Sequence, residues 1–238
     1  MKSNLSVHTT LVGANQPGFD RSAAITRSLL GYGVLVGPFY LAVGLIQAFV
    51  RDGFDFARHA LSHLANGPGG WVQTANFVLS GLMVVAAAVG FARALRPQSR
   101  AASWILGIFG ASMLAAAVFP ADPVDGFPPG TPEGFPATVS TSGILHFAVG
   151  GIGFLALAVS CFVVAVAMRR RQARLMARLS FFSGLAVVAG FFGPMVAPIG
   201  PGIAGIWFAV VVGWAWLAIM SVHLYRATPH PDSAVRPV

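Results

Sequence analysis

Gly143-Ile144-Leu145-His146-Phe147 opens a run that reaches residue 168 without Asp, Glu, Lys or Arg and then stops at Arg169-Arg170-Arg171-Gln172-Ala173-Arg174. A bilayer core takes about 20 apolar residues of helix. Residues 143–168 therefore read as a membrane span with a block of arginine at one end. Working outward, further oily runs lie near 29–50, 71–92, 101–119, 179–198 and 202–225. The segments between them alternate in charge. Lys2, Arg21 and Arg27 precede the first run; Arg93, Arg96 and Arg100 follow the second; Arg169 to Arg178 follow the fourth; Arg226 and Arg236 follow the sixth. These segments hold thirteen of the fifteen basic residues, and only Arg51 and Arg58 fall elsewhere. Short cytoplasmic loops collect Lys and Arg. The expectation is an all-α polytopic membrane protein, a six-transmembrane-helix bundle in a bacterial cytoplasmic membrane with both termini cytoplasmic.

Composition agrees. Only 9% of the 238 residues are charged and 56% are hydrophobic, against about 25% charged in soluble domains. The +8 net charge could suggest nucleic acid. The charge instead flanks the oily runs with few aromatics between, so the expected partner is the lipid bilayer, with no nucleic acid. A patch such as Arg169 to Arg178 also attracts anionic lipid heads, though topology explains it without a ligand. Cys161 is the sole cysteine, which rules out an internal disulfide and four-thiolate metal sites. The first 27 residues lack an apolar core, so they are not a cleavable signal peptide, and the first span is expected to serve as an uncleaved anchor. The domain organisation is a disordered tail at 1–28, one membrane domain at 29–225 and a second tail at 226–238.

Glycine and proline punctuate the spans. Gly33 and Gly37 are spaced for close helix contact, and Gly150, Gly151 and Gly153 suit the same use. Gly37-Pro38 predicts a kink. Gly193-Pro194, Pro198 and Gly200-Pro201-Gly202 predict either a tight turn between the last two spans or a broken helix of the kind that lines transporter sites.

Chemistry gathers at the other end from the arginines. Residues 54–66 predict a short extracytoplasmic amphipathic helix, capped by Asp52 with Asp55 in its first turn and stopped by Gly67-Pro68. At 100° per residue, Asp52, Asp55, His59, His63 and Asn66 share an arc of about 80°. The loop at 120–142 carries Asp122, Asp125 and Glu133 with six prolines and no basic residue, which predicts a stiff segment. Ser140, Thr141 and Ser142 can cap the fourth span, with His146 one turn inside it. Gln47, Gln73, Asn76 and Ser80 extend the polar set along the adjoining span ends.

Histidines at i and i+4 can chelate a metal, and a third with a carboxylate completes a tetrahedral site. His59, His63, His146 and Asp122 form the candidate set, for a divalent metal such as zinc (Zn). Without metal, a His–Asp pair still supplies acid and base, with His59, His146 and Asp122 as the catalytic candidates. Ser62 is a nucleophile only if a histidine reaches it. Gln47, Gln73 and Asn76 are candidate substrate-binding amides. The bland alternative is a capped surface helix with solvated histidines and no shared site. No span carries Asp, Glu, Lys or Arg near its centre, which argues against an ion-coupled pump and leaves open a passive conduit.

The motifs have a family resemblance. Arg58-His59-Ala60-Leu61-Ser62, Asn66-Gly67-Pro68, Gly70-Trp71-Val72-Gln73 and Asn76 to Gly81 come first. Gly110, Val118-Phe119-Pro120-Ala121-Asp122-Pro123, Gly126 to Pro132 and Gly143-Ile144-Leu145-His146-Phe147 follow. Across about residues 30–225 the chain resembles the bacterial integral membrane family called domain of unknown function 998. The resemblance implies a polytopic membrane fold and no particular reaction. In site chemistry alone the chain is similar to membrane hydrolases of the alkaline ceramidase and adiponectin-receptor type, which gather His, Asp and Ser around zinc. It departs from them in span count and in lacking a His pair in the last span. The expected function is to bind or process a lipid-like or small amphiphilic molecule, if as an enzyme then with hydrolase-like activity, with or without assistance from a metal. The alternative is a carrier or scaffold without a catalytic site. Oligomeric state is not legible.

Overall fold

The computed structural model describes residues 17–97, 99–196 and 202–235. Among these residues there are six α-helices: α1 Arg21–Val50, α2 Gly70–Ala94, α3 Ala101–Val118, α4 Thr141–Arg170, α5 Arg174–Val196 and α6 Gly202–Ala227. All six are long and apolar enough to cross a membrane. The chain is therefore an all-helical membrane protein whose environment is a lipid bilayer. Each helix packs on the next, and α6 packs on α1. The six thus close into a ring.

Lipid tails are as apolar as leucine, so helix association in a bilayer rests on close packing and hydrogen bonds. Both are visible. A Cβ at Gly37 would stand 2.8 Å from that of Trp214, and one at Gly33 would run into Ser221, so α1 and α6 touch where the sequence has glycine. Gly153 admits Ser112 in the same way, whereas Gly150 and Gly151 face open space and do not serve the expected packing role. The buried indole of Trp216 donates to Ser180 Oγ at 3.0 Å, and Ser160 Oγ donates to the Ala102 carbonyl at 3.2 Å. Such bonds average ~0.6 kcal/mol each in membrane bundles.

Helix bounds differ from expectation mainly at the start. The first span was placed from residue 29, where apolar residues begin, but α1 starts at Arg21 because Asp20 accepts the Ala23 N–H at 3.0 Å as an N-cap. Pro38 lies inside α1, which continues through it, and Pro194 lies inside α5. Pro198 and Gly200-Pro201, on which the predicted α5–α6 break partly rests, lie outside the described residues, as do residues 1–16 and 236–238 of the expected tails. Within the described parts of those tails, β1 Pro17–Gly18 pairs antiparallel with β2 Ala234–Val235, which joins the segment before α1 to the segment after α6.

That terminal end carries the described arginines other than Arg51 and Arg58, and several fasten it. Arg27 donates to the carbonyls of Tyr225 at 3.2 Å and Thr228 at 2.9 Å and lies over the Tyr225 ring. Arg171 donates to the Ala94 carbonyl at the end of α2 at 2.8 Å. Cations suit helix C-termini, where carbonyls are left without partners. The opposite, loop end holds the connections 51–69 and 119–140.

Candidate functional site

The loop end is organised by a two-residue hairpin. Val124 and Phe127 exchange backbone hydrogen bonds at 3.1 and 2.9 Å, while Asp125 and Gly126 between them both have positive φ, +52° and +85°. Asp-Gly is the pair that such tight turns favour. The turn presents Asp125 to Arg58, whose Nε and Nη2 reach Oδ2 at 2.8 Å and Oδ1 at 2.5 Å. Arg58 also pairs with Glu133. The guanidinium and the Gly134 N–H hold the Asp125 carboxyl well below the usual carboxylate range, and the two carboxylates raise the Arg58 pKa.

The expected α-helix over 54–66 is not formed. One helical turn closes at His59 N–H to Asp55 O, 2.8 Å; the chain then extends at Ala60, and a 3-10 helix runs over Leu61–Ala65. The cause is competition from side chains for backbone donors. Asp55 accepts from Ala57 N–H at 2.7 Å, His59 Nδ1 takes the Asp55 N–H at 2.9 Å, and His63 Nδ1 takes the Ala60 N–H at 3.1 Å. Asp52 makes no cap. Arg51 completes the segment, donating to the Leu64 and Asn66 carbonyls at 2.5 Å each. Both loop-end arginines are thus consumed as fasteners.

Beneath these loops the helix ring encloses a cavity of about 580 Å³, inside the ~300–1,000 Å³ range of small-molecule sites. Every helix contributes to its wall: Tyr40, Phe77, Phe109, Phe154, Phe191 and Trp207 come from α1 to α6 in turn. Its deep end meets Trp214, whose ring packs against Tyr40 at 5.3 Å and Phe109 at 5.6 Å. From Gly202 to Trp214 along α6 is ~18 Å, over half of a ~30 Å hydrocarbon core. Polar groups gather at the mouth, among them Arg58, Ser62, His63, Asp122, Asp125 and His146.

The sequence-predicted site residues divide. His59 is 0% exposed and has both ring nitrogens occupied: Nδ1 accepts from Asp55 N–H, and Nε2 therefore donates to the Asp125 carbonyl at 3.1 Å. It joins the two loops, and the catalytic and ligand roles expected of it have no nitrogen left to them. Asp122 is also committed. Its oxygens accept from Ser140 N–H at 2.9 Å and Ser140 Oγ at 2.5 Å, and Ser140 in turn caps α4 through Gly143 N–H at 3.0 Å. A Cβ at Gly143 would come within 2.1 Å of Asp122 Oδ2, so only glycine lets the carboxylate sit there. The capping serine was legible; its carboxylate partner was not.

His63 and His146 both line the cavity, with opposite tautomers. A backbone N–H donates to His63 Nδ1, so its proton is on Nε2. His146 Nδ1 lies 2.8 Å from the Phe119 carbonyl, which only accepts, so the proton is on Nδ1 and Nε2 carries a lone pair. Burial, with the nearby His59 and His146, pushes the His63 pKa down to about 4. Ser62 lines the cavity, but among the described residues no histidine bonds its hydroxyl.

The three amides lie elsewhere. Gln47 Nε2 donates to Gln73 Oε1 at 3.0 Å, and Asn76 Nδ2 donates to the same oxygen at 3.2 Å and to the Tyr40 carbonyl at 3.1 Å. They join α1 to α2 and are absent from the cavity wall, so the substrate contacts expected of them are not made there. Ser80 extends the chain to Asn76 Oδ1 at 3.2 Å. Nor are His59, His63, His146 and Asp122 assembled as ligands: among the described residues no three His, Cys, Asp or Glu side chains form a group able to hold a metal ion. The physical reason is that backbone groups claim both His59 nitrogens and Ser140 holds the Asp122 carboxylate, while the free His63 nitrogen is the protonated one. The residues that sequence reasoning left out of the site are Arg58, Asp125 and the aromatic wall. The Asp125-Gly126 pair was the available signal for the hairpin.

Fold and cavity together define an integral membrane protein with six spanning helices and a cavity, polar at the mouth and apolar below, at the loop end. The chain belongs to the family described as protein of unknown function (DUF998), whose model matches residues 34–223. Neither the curated proteins nor the solved structures offer a match.

Proposed function

We propose that the protein binds a lipid-like or small amphiphilic molecule in the loop-end cavity, with that end facing away from the cytoplasm of a bacterial cell. The observation that carries this is the gradient along the cavity. Hydrogen-bonding side chains crowd its mouth, and aromatic rings line it down to Trp214. A molecule with a polar head and an apolar tail satisfies both zones, whereas a fully polar solute would lose hydration against the aromatic wall. Orientation rests on the arginines at the terminal end and the positive-inside rule. Trp214 across the deep end favours a binding site over a through-going conduit.

The test uses Gly150, which lines the cavity and faces open space. Wild type and Gly150→Trp are purified from the same membranes, and the lipids retained through detergent exchange are weighed by mass spectrometry. The wild type should keep an amphiphile that the variant loses. Equal retention in two folded proteins would sink the proposal.

Processing of the bound molecule is a second reading, favoured by the unprotonated His146 Nε2 beside the cavity, a nitrogen suited to general-base work. His146→Ala would then abolish turnover even at ligand concentrations that saturate the weakened site.

A further inference from the structure

The mouth of the cavity has a definite hydrogen-bonding and charge character, and this narrows the occupant that the preceding reading leaves general. Arg58 is the cation at the cavity, and Asp125 and Glu133 both hold it. Asp122 is bonded to Ser140. An anionic head, such as a phosphate or a carboxylate, would therefore meet an acidic mouth with its arginine already engaged. Tight recognition of a phosphate or carboxylate calls for an unpaired Arg or Lys, and Arg58, which lines the cavity, is already paired with two carboxylates. Two lining side chains leave a complementary pair of atoms without partners among the described residues: the donor His63 Nε2–H and the acceptor His146 Nε2, with the Ser62 hydroxyl close by in sequence. His63 stays uncharged near neutrality because burial holds its pKa at about 4.

We propose that the cavity selects an uncharged amphiphile whose head bears hydroxyl groups, a glycerol monoester or long-chain alcohol, over fatty acids and phospholipids of the same chain. A hydroxyl both donates and accepts. It can give its proton to His146 Nε2 while taking one from His63 Nε2–H, and the tail then lies along Phe154, Phe191 and Trp214. Carboxylate and phosphate oxygens only accept, so they leave the His146 lone pair unanswered and approach the Asp125 carboxylate at the mouth.

This rests on the cavity being a lipid site, and the experiment separates the two. Trp207 and Trp214 line the cavity, whereas Trp71 and Trp104 are 74% and 78% exposed toward the surrounding lipid. The full chain carrying Trp71→Phe and Trp104→Phe is placed in nanodiscs. It is titrated with a glycerol monoester of dibromostearic acid, with free dibromostearate and with the matching dibromooctadecyl phosphate, which has no hydroxyl on its chain or on a glycerol. Bromine quenches the cavity tryptophans on contact. The expected result is saturable quenching by the monoester at about tenfold or more lower concentration than by either anion, the size of effect of one or two hydrogen bonds. His63→Ala and His146→Ala should each weaken the monoester by about tenfold and leave the anions unchanged. His146→Gln, which keeps an acceptor, should recover part of the loss. If either anion binds as tightly as the monoester, the selection is wrong and the lipid site stands. If no probe quenches saturably, the lipid site falls and the selection with it. The three-probe comparison needs no histidine variant, so misfolding of the alanine variants does not rescue either idea.

Discussion

Arg58 grips Asp125 with two parallel hydrogen bonds, 2.8 and 2.5 Å, between loops 67 residues apart in sequence. The planar guanidinium fits a carboxylate in this way and an ammonium does not. Arg58→Lys should therefore loosen the roof even though charge is kept. The measurement is hydrogen exchange over residues 120–140, which should quicken in Arg58→Lys and more in Arg58→Ala. Unchanged exchange would show that the hairpin holds itself. The pH dependence follows from the depressed Asp125 pKa. The fastening is fully present above the ordinary carboxylate value of ~3.9 and is lost as pH falls through the lower folded value. Between pH 5 and 7 the exchange pattern should not move on this account.

His63 gives a different window. Its pKa falls from 6.5 to about 4 on folding, chiefly through burial. Between those values the unfolded chain binds a proton that the folded protein refuses, so stability declines as pH drops from 6.5 toward 4. The full effect is on the order of 3 kcal/mol. Thermal unfolding in detergent should show this slope in wild type and a flatter one in His63→Gln. Parallel slopes in the two proteins would mean that another group titrates there.

The spans and the glycine contacts of α1 were legible because both depend on local composition and spacing. Twenty apolar residues need no tertiary context, and Gly33 with Gly37 marks a close approach in any bundle. The histidine roles were not legible. Whether His59 is catalytic or a fastener depends on which backbone N–H and carbonyl reach its two nitrogens, and that is set by Ala60 extending and by the hairpin at Asp125-Gly126. The cavity wall was hidden for another reason. In a membrane protein, Phe154 facing a cavity, Val164 packed in the core and Ile152 on the outer surface are all apolar, so periodicity does not sort them.

His59 and His146 should separate cleanly on substitution. His59→Ala strands the Asp55 N–H and the Asp125 carbonyl and leaves a void in a site that is 0% exposed. A stability loss of about 2–4 kcal/mol is expected. His146→Ala loses one bond to Phe119 O and should cost less stability but more ligand affinity. Finding the reverse, with His59→Ala stable and impaired only in binding, would return His59 to the site.

Asp122 and Gly143 act as a unit. Asp122→Ala removes two bonds to Ser140 near the start of α4 and should cost about 1 kcal/mol. Gly143→Ala drives a methyl into the same carboxylate, 2.1 Å from Oδ2, with a strain of about 1–3 kcal/mol. Because both changes disturb one arrangement, the double variant should be less destabilised than the two single losses added. Thermal unfolding of the four proteins decides it, and strict additivity would mean that the two residues act separately.

Sidedness can be measured with little background. Cys161 is the only cysteine and is fully buried among the helices, so an impermeant maleimide has no access to it in the folded protein. Cysteine introduced at Glu133 at the loop end should react when the reagent is added to intact cells. Cysteine introduced at Arg174, where α4 and α5 meet at the arginine-rich end, should react only after the membrane is opened. The distribution of basic residues favours this result, because each Lys or Arg on the far side must be carried across during insertion. The two loop-end exceptions do not oppose it. Arg51 is bound to carbonyls of Leu64 and Asn66, and Arg58 is neutralised by two carboxylates. Labelling of Arg174→Cys in intact cells, with Glu133→Cys silent, would invert the protein and put the cavity mouth in the cytoplasm, where its occupant would have to come from the inner leaflet.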